Sequence, residues 1–217
     1  MKESVKSILR GTRQAVVVTV VLMLICGLLF PCLLSGLSSL LFPKQAEGNL
    51  ISVNGQTVGA EFVGQEFTED YYMWSRPSAY HYNVYTEGED GKQYYTDGTE
   101  FPGIGSGSNN YAPSNPDLAE RVEKDIEAFL EKNPDVKRED IPTDLLTASG
   151  SGLDPHISPA SVEVQIPRIV AASKLSEDTI RDIIKRNTSG KILGIFGEET
   201  VNVLKVNIEI AQSMGIL

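Results

Sequence analysis

The residue types most able to do chemistry in this 217-residue chain sit together in Ser149-Gly150-Ser151-Gly152-Leu153-Asp154-Pro155-His156-Ile157-Ser158-Pro159. Hydroxyls at Ser149, Ser151 and Ser158 flank Asp154 and His156, and a nucleophile, a base and an orienting carboxylate are the parts of a hydrolytic triad. The order is Ser-Gly-Ser-Gly, however, and lacks the Gly-x-Ser-x-Gly elbow that lifts a serine on a strained turn. The other reading of the same residues is architectural. Asp154 and Ser158 would cap turns, with His156 hydrogen-bonded inside a rigid loop. No metal site is expected, because the second histidine, His81, lies in a different segment. Gly103-Ile104-Gly105-Ser106-Gly107-Ser108 superficially resembles a phosphate cradle, but it lacks the Gly-Lys-Ser/Thr ending and reads as a flexible turn.

Several elements must position these residues. From Glu47 to Phe67, apolar residues alternate with turn residues, which predicts two or three short strands. Tyr71-Tyr72-Met73-Trp74-Ser75-Arg76-Pro77-Ser78 holds the one tryptophan, and such large side chains read as core plus rim. The region from Tyr80 to Tyr111 is rich in Gly, Asp, Tyr and Ser and reads as a long loop or weak hairpin. Asn115-Pro116-Asp117 starts a helix, with Leu118, Val122, Ile126, Phe129 and Leu130 on one stripe and an end near Asn133-Pro134. Ile141 to Thr147 reads as a short strand. Ser158 caps a second helix, started by Pro159 and bent at Pro167, with Val162, Ile166, Ile169 and Val170 on one face. Ser176 caps a third, through Ile180, Ile183 and Ile184 and stopped at Asn187 to Gly190. Val201 to Ile210 fits helix and strand periods alike, and helix is preferred.

The remainder of the chain is dominated by residues 15–43, a run of 29 without Asp, Glu, Lys, Arg or His. About 20 apolar residues cross a hydrocarbon core as a helix. Sixteen positions before Phe42 are Val, Leu, Ile or Phe, and together they favour insertion by on the order of 5 kcal/mol. The run exceeds the apolar core of a cleaved signal, so it reads as a retained span. Pro31 should kink it, and Gly27, Gly36, Ser35, Ser38 and Ser39 would admit a neighbouring helix.

Residues 1–14 carry a net charge of +3, with Lys2, Lys6, Arg10 and Arg13 against Glu3. Residues 44–217 carry 15 basic and 28 acidic side chains, a net of −13. The positive-inside rule predicts a cytoplasmic basic stub (1–14), a transmembrane helix (15–43) and an extracytoplasmic acidic domain (44–217). The expected fold class is therefore one N-terminal transmembrane helix plus one α+β extracytoplasmic domain, with short strands, three to four helices and a long loop. The charge excludes a nucleic-acid partner and docking on anionic lipid, while raising the local concentration of cations. Both cysteines, Cys26 and Cys32, lie in the span, so the acidic domain has neither disulfide nor thiol nucleophile.

The Ser149–Pro159 stretch, followed by Gln165-Ile166-Pro167-Arg168, resembles the C subunit of the Kdp potassium-transporting P-type ATPase. Trp74-Ser75-Arg76-Pro77-Ser78 and Pro113-Ser114-Asn115-Pro116 are similar to elements of that family. Leu193-Gly194, Gly197-Glu198 and Val201-Asn202-Val203-Leu204 also fit, whereas Tyr80 to Tyr95 does not. The resemblance implies a non-catalytic accessory subunit of a high-affinity potassium pump, needed for assembly and transport. Its partners would be a channel-like potassium-translocating subunit, a P-type subunit that hydrolyses ATP, and membrane lipid. ATP and potassium would act through the complex, with no cofactor bound directly.

The resemblance further implies that Trp74, Arg76, Pro77, Ser149, Gly150, Gly152, Asp154, Pro155, His156, Ser158 and Arg168 are structural or interface residues. It also implies that the family raises ATP affinity by contacting nucleotide, with Gln165 implicated. The charge asymmetry argues against that contact, because it puts Gln165 on the side of the membrane away from ATP. The alternative is a membrane-anchored extracellular hydrolase using Ser151, His156 and Asp154, or a binding domain.

Overall fold

The computed structural model describes residues 2–217; Met1, the first residue of the expected basic stub, lies outside the described residues. The chain forms two compact units that divide between Leu50 and Ile51. The first is built on α1 (Lys2–Leu24), a π-helical turn (Ile25–Leu29) and α2 (Phe30–Leu41). Pro31 has no N–H to donate and its ring crowds the carbonyl four residues back. A wider π turn just before it absorbs that mismatch, with Phe30 N donating to Ile25 O. Lys6–Leu41 is long and apolar enough to cross a membrane, and its apolar side chains are exposed all round, as a lipid-facing helix requires. The helix ends at Leu41 because Pro43 pushes Phe42 out of helical geometry (φ −138°, ψ 59°). One turn, α3 (Pro43–Ala46), follows.

The second unit is a mixed helix and strand domain. β1 (Leu50–Val53) and β2 (Gln56–Ala60) form a hairpin. Its turn is Asn54-Gly55, both at positive φ (52° and 81°), the pair that a tight two-residue turn demands. The long loop carries a small hairpin, β3 (Thr86–Glu87) with β4 (Gln93–Tyr94).

The helix expected after Ser114 is α4 (Pro116–Lys132). Asp117 N donates to the capping Asn115 Oδ1 at 2.9 Å, and Ile126 and Phe129 are buried. Ile126 and Phe129 meet Ile141 and Leu145 in a small core.

Three expectations are corrected. Ile141 to Thr147 is not a strand but contains a 3-10 turn, Thr143–Leu145. Pro142 cannot donate to a ladder, and Thr147 Oγ1 folds back to donate to Thr143 O at 2.8 Å. The second helix is broken rather than bent, into α5 (Pro159–Glu163) and α6 (Ile166–Ser173). Pro167 cannot continue a helix but suits the first turn of a new one. The segment from Val201 divides between both periods. β5 (His156–Ile157) precedes α5, and after α7 (Glu177–Arg186) come β6 (Thr188–Ser189), β7 (Thr200–Asn202) and α8 (Val203–Ser213). The side chain of Asn202 accepts from Lys205 N at 3.0 Å and so turns strand into helix.

The order of that antiparallel sheet is β5-β7-β6. Helices α6, α7 and α8 close over it, and Met73, Ile157, Ile169, Ile180, Val206 and Ile210 lie in one core at 2% exposure or less. Each such side chain contributes roughly 1.5–3 kcal/mol by leaving water.

Candidate functional site

Met73 to Ser78 belongs to no helix or strand, yet Met73 is fully buried. Buried backbone polar groups need partners, and here side chains supply them. Met73 N donates to Asn207 Oδ1 and Asn207 Nδ2 donates to Met73 O, both at 2.8 Å. Gln165 treats Trp74 the same way: Trp74 N donates to Oε1 at 2.8 Å, and Nε2 donates to Trp74 O at 3.3 Å. The amide of Gln165 also donates to Ser161 O (3.0 Å) and accepts from Arg168 Nη2 (2.8 Å). Two donations and two acceptances exhaust what a carboxamide can do, and Gln165 has no exposed surface.

Arg168 completes the lattice. Its Nη1 donates to Asp70 O (2.6 Å) and Tyr72 O (2.9 Å), and its Nε to Asn133 Oδ1 (3.1 Å). The guanidinium carbon lies 4.2 Å from the centre of the Trp74 ring, a favourable cation–π distance. Burial pushes Arg168 down to about 10, because a charge surrounded by carbonyl dipoles is less well solvated than in water.

The Ser149–Pro159 stretch is tied in turn. Gly152 N donates to Ser149 Oγ (2.9 Å) and Leu153 N to Ser151 Oγ (3.1 Å). Outside the stretch, Ser78 Oγ donates to Gly152 O (2.7 Å), Gly107 N to Ser151 O (2.7 Å) and Gly64 N to Leu153 O (2.8 Å). Gly152 has φ +66°, and a Cβ there would stand 2.3 Å from Gly107 O. Gly152→Ala is therefore expected to cost on the order of 3 kcal/mol, from left-handed strain and a backbone collision. Gly150→Ala, which meets nothing within 4 Å, should unfold at the wild-type temperature in a thermal melt.

Asp154 accepts from His156 N at 3.0 Å, lies 3.4 Å from His156 Nδ1 and pairs with Arg76 Nη1 at 3.1 Å. Burial alone would raise its carboxyl, but the His156 hydrogen bonds and the Arg76 charge hold it below the usual range. Tyr82 OH shares its one proton between Arg76 O and Asp154 O (3.0 and 3.3 Å) and is pushed up by burial. Ser158 caps α5 through Ser161 N (3.1 Å), and Asp144 holds both: Ser158 N and Ser161 Oγ donate to it at 2.7 and 2.6 Å.

His81 forms a separate charged group, with Nδ1 2.8 Å from Glu66 and Nε2 3.5 Å from Asp97. The Glu66 hydrogen bond outweighs burial and raises His81 above 6.5. A raised pKa means stability that is fully present below 6.5 and lost as pH climbs through the folded value. Thermal melts of the wild type should show that loss above pH 6.5, whereas Glu66→Gln should flatten it.

The structure thus gathers the expected residues into two adjoining groups. Trp74, Gln165 and Arg168 form the buried lattice, while Arg76, Ser149, Asp154, Pro155 and His156 line an open cleft of about 630 Å³ with Phe62 and Val63. Pro155 O accepts from Val203 N at 2.9 Å, Pro77 lines a neighbouring cleft with His81, and Gly150 is exposed. Ser151 and His156 share the cleft, but among the described residues no serine hydroxyl hydrogen-bonds to the His156 ring.

The clamping roles of Asn207, Asn133 and Asp144 are not announced by the sequence, which marks Asn133 only as a helix end. Asn207 gave one signal, a polar residue on the apolar run Val203 to Ile210; Asp144 gave none.

Fold and site together define a class: a helix–strand domain whose polar cluster is spent on holding its own backbone, with one membrane-length apolar helix among the described residues. Residues 12–212 match the family described as KdpC: K+-transporting ATPase, c chain, and this chain belongs to that family. It is 54% identical over 207 residues to the potassium-transporting ATPase KdpC subunit of Clostridium kluyveri, covering 95% of this chain and 96% of that protein. For the subunit of the same name in Clostridioides difficile the identity is 50% over 209 residues, with 96% and 100% covered. The Caldanaerobacter subterraneus subsp. tengcongensis subunit is 42% identical over 202 residues, with 93% and 95% covered.

Proposed function

We propose that this chain is a non-catalytic accessory subunit of a potassium-transporting P-type ATPase, held in the membrane by its apolar helix. Its basic N-terminus faces the cytoplasm and its domain of net −13 lies outside. It acts on its partners, a channel-like subunit and an ATP-hydrolysing subunit, by docking. The observation that carries this reading is the saturated amide of Gln165, fully buried and engaged by Trp74, Ser161 and Arg168. A side chain so committed has no donor or acceptor to offer a nucleotide, and any change in ATP affinity passes through the assembly. The serine hydroxyls favour this reading over a hydrolase, since Ser149 and Ser151 already accept from the backbone of their own loop.

Deleting the chain should abolish high-affinity potassium uptake and reduce recovery of the partners as one complex. Unchanged uptake by cells that make only the other subunits would refute the accessory role. Detectable esterase activity that disappears in His156→Ala would instead support the hydrolase.

A further inference from the structure

The connection between β6 and β7 carries an apolar tip that the core does not use. Ile192, Leu193, Ile195 and Phe196 are 72, 84, 75 and 63% exposed. The tip is nonetheless ordered by its own backbone: Ile192 N donates to Phe196 O at 2.8 Å and Phe196 N returns to Ile192 O at 3.0 Å. Leu193 sits at φ +55°, where bulky side chains are rare and Asn or Asp fit far better. One residue thus bears two costs, a left-handed leucine and its exposure to water. Strain kept at an exposed position points to use. The mount is firm, for β7 pairs on its other edge with β5, the strand that carries His156.

Size and charge select the occupant. Four side chains offer roughly a few hundred Å², less than the about 800 Å² per partner that a free-standing interface buries. A second copy of the chain is therefore a poor match. A partner held in the same membrane needs less area, because tethering raises the effective concentration. The flank is acidic: Glu198 and Glu199 follow the tip, the Glu198 side chain is 87% exposed, and Lys191 stands 3.9 Å from it. An anionic lipid surface would repel such a flank, and a basic rim would attract it. We propose that the Ile192–Phe196 tip docks as a knob into an apolar pocket, rimmed by Lys or Arg, on a membrane-embedded partner subunit of the same pump. This rests on the reading of the chain as an accessory subunit and names the surface through which that role is exerted.

The test co-expresses the tagged full-length chain with the other pump subunits and measures partner recovered per chain after mild detergent extraction. Leu193→Asp with Ile195→Asp should lower recovery at least tenfold at about 0.15 M salt, with Tm unchanged or raised because Asp suits a left-handed backbone. Ile104→Asp, at a position 90% exposed on another loop, should leave recovery intact. Glu198→Lys with Glu199→Lys should weaken it more at low salt than at high. Full recovery with the double Asp variant overturns the docking proposal while leaving the accessory role standing. A marked fall in its Tm would make the tip part of the fold and overturn it as well. A photocrosslinking residue at position 193 should capture a partner subunit; capture of lipid or of a second copy would refute the proposal. If the wild-type chain recovers no partner subunit, the accessory reading itself fails.

Discussion

Arg168→Ala is expected to lose about 4 kcal/mol or more of stability in denaturant titrations of the full chain. The guanidinium serves four acceptors, Asp70 O, Tyr72 O, Gln165 Oε1 and Asn133 Oδ1, and an orphaned buried acceptor costs roughly 1–3 kcal/mol. Water entering the vacated space recovers part of that sum. The loss is still large against the roughly 5–15 kcal/mol that a domain possesses. Arg168→Lys should rescue little, because a single ammonium cannot span acceptors that the planar fork reaches in two directions. Complete rescue by Lys would mean that charge over the Trp74 ring matters and the fork does not.

Gln165→Leu is expected to cost about 3 kcal/mol, since the shorter apolar side chain leaves Trp74 N, Trp74 O, Ser161 O and an Arg168 N–H without their partner. Its effect on the pump should follow the effect on folding. In complexes that still assemble, the KM for ATP should equal that of the wild type and only the yield should fall. A raised KM with stability unchanged would restore Gln165 as a nucleotide contact. The same comparison with Asn207→Leu, which removes the matching clamp on Met73, should give a similar stability loss and no change in KM.

Sequence read well where causes are local. Asn115-Pro116-Asp117 and Ser176 announce α4 and α7 because cap, first turn and apolar stripe lie within one short window. It read poorly where one proline or one distant partner decides. Pro142 and Pro167 converted an expected strand and a bent helix into a 3-10 turn and two helices. The segment from Val201 satisfied both periodicities because it uses both, with strand pairing to β5 and β6 for three residues before Asn202 caps α8. The residues of the motif were legible through resemblance, but their work was not. Met73 and Asn207 are 134 positions apart and Trp74 and Gln165 are 91 apart, and no local pattern reports a side chain standing in for a missing strand. The positive φ at Leu193 is equally silent in sequence, since nothing in Gly190 to Gly197 separates a flexible turn from a rigid apolar tip.

The side of the membrane that the domain occupies decides whether Gln165 can meet nucleotide. The direct measurement places a single cysteine at Ile104, 90% exposed, in a variant with Cys26 and Cys32 replaced, and treats intact cells with a membrane-impermeant thiol reagent. Labelling of intact cells to the level seen after lysis is the predicted result, and it leaves Gln165 out of reach of cytoplasmic ATP. Labelling only after lysis would invert the topology drawn from the +3 and −13 charges and return the domain to the side where nucleotide is found.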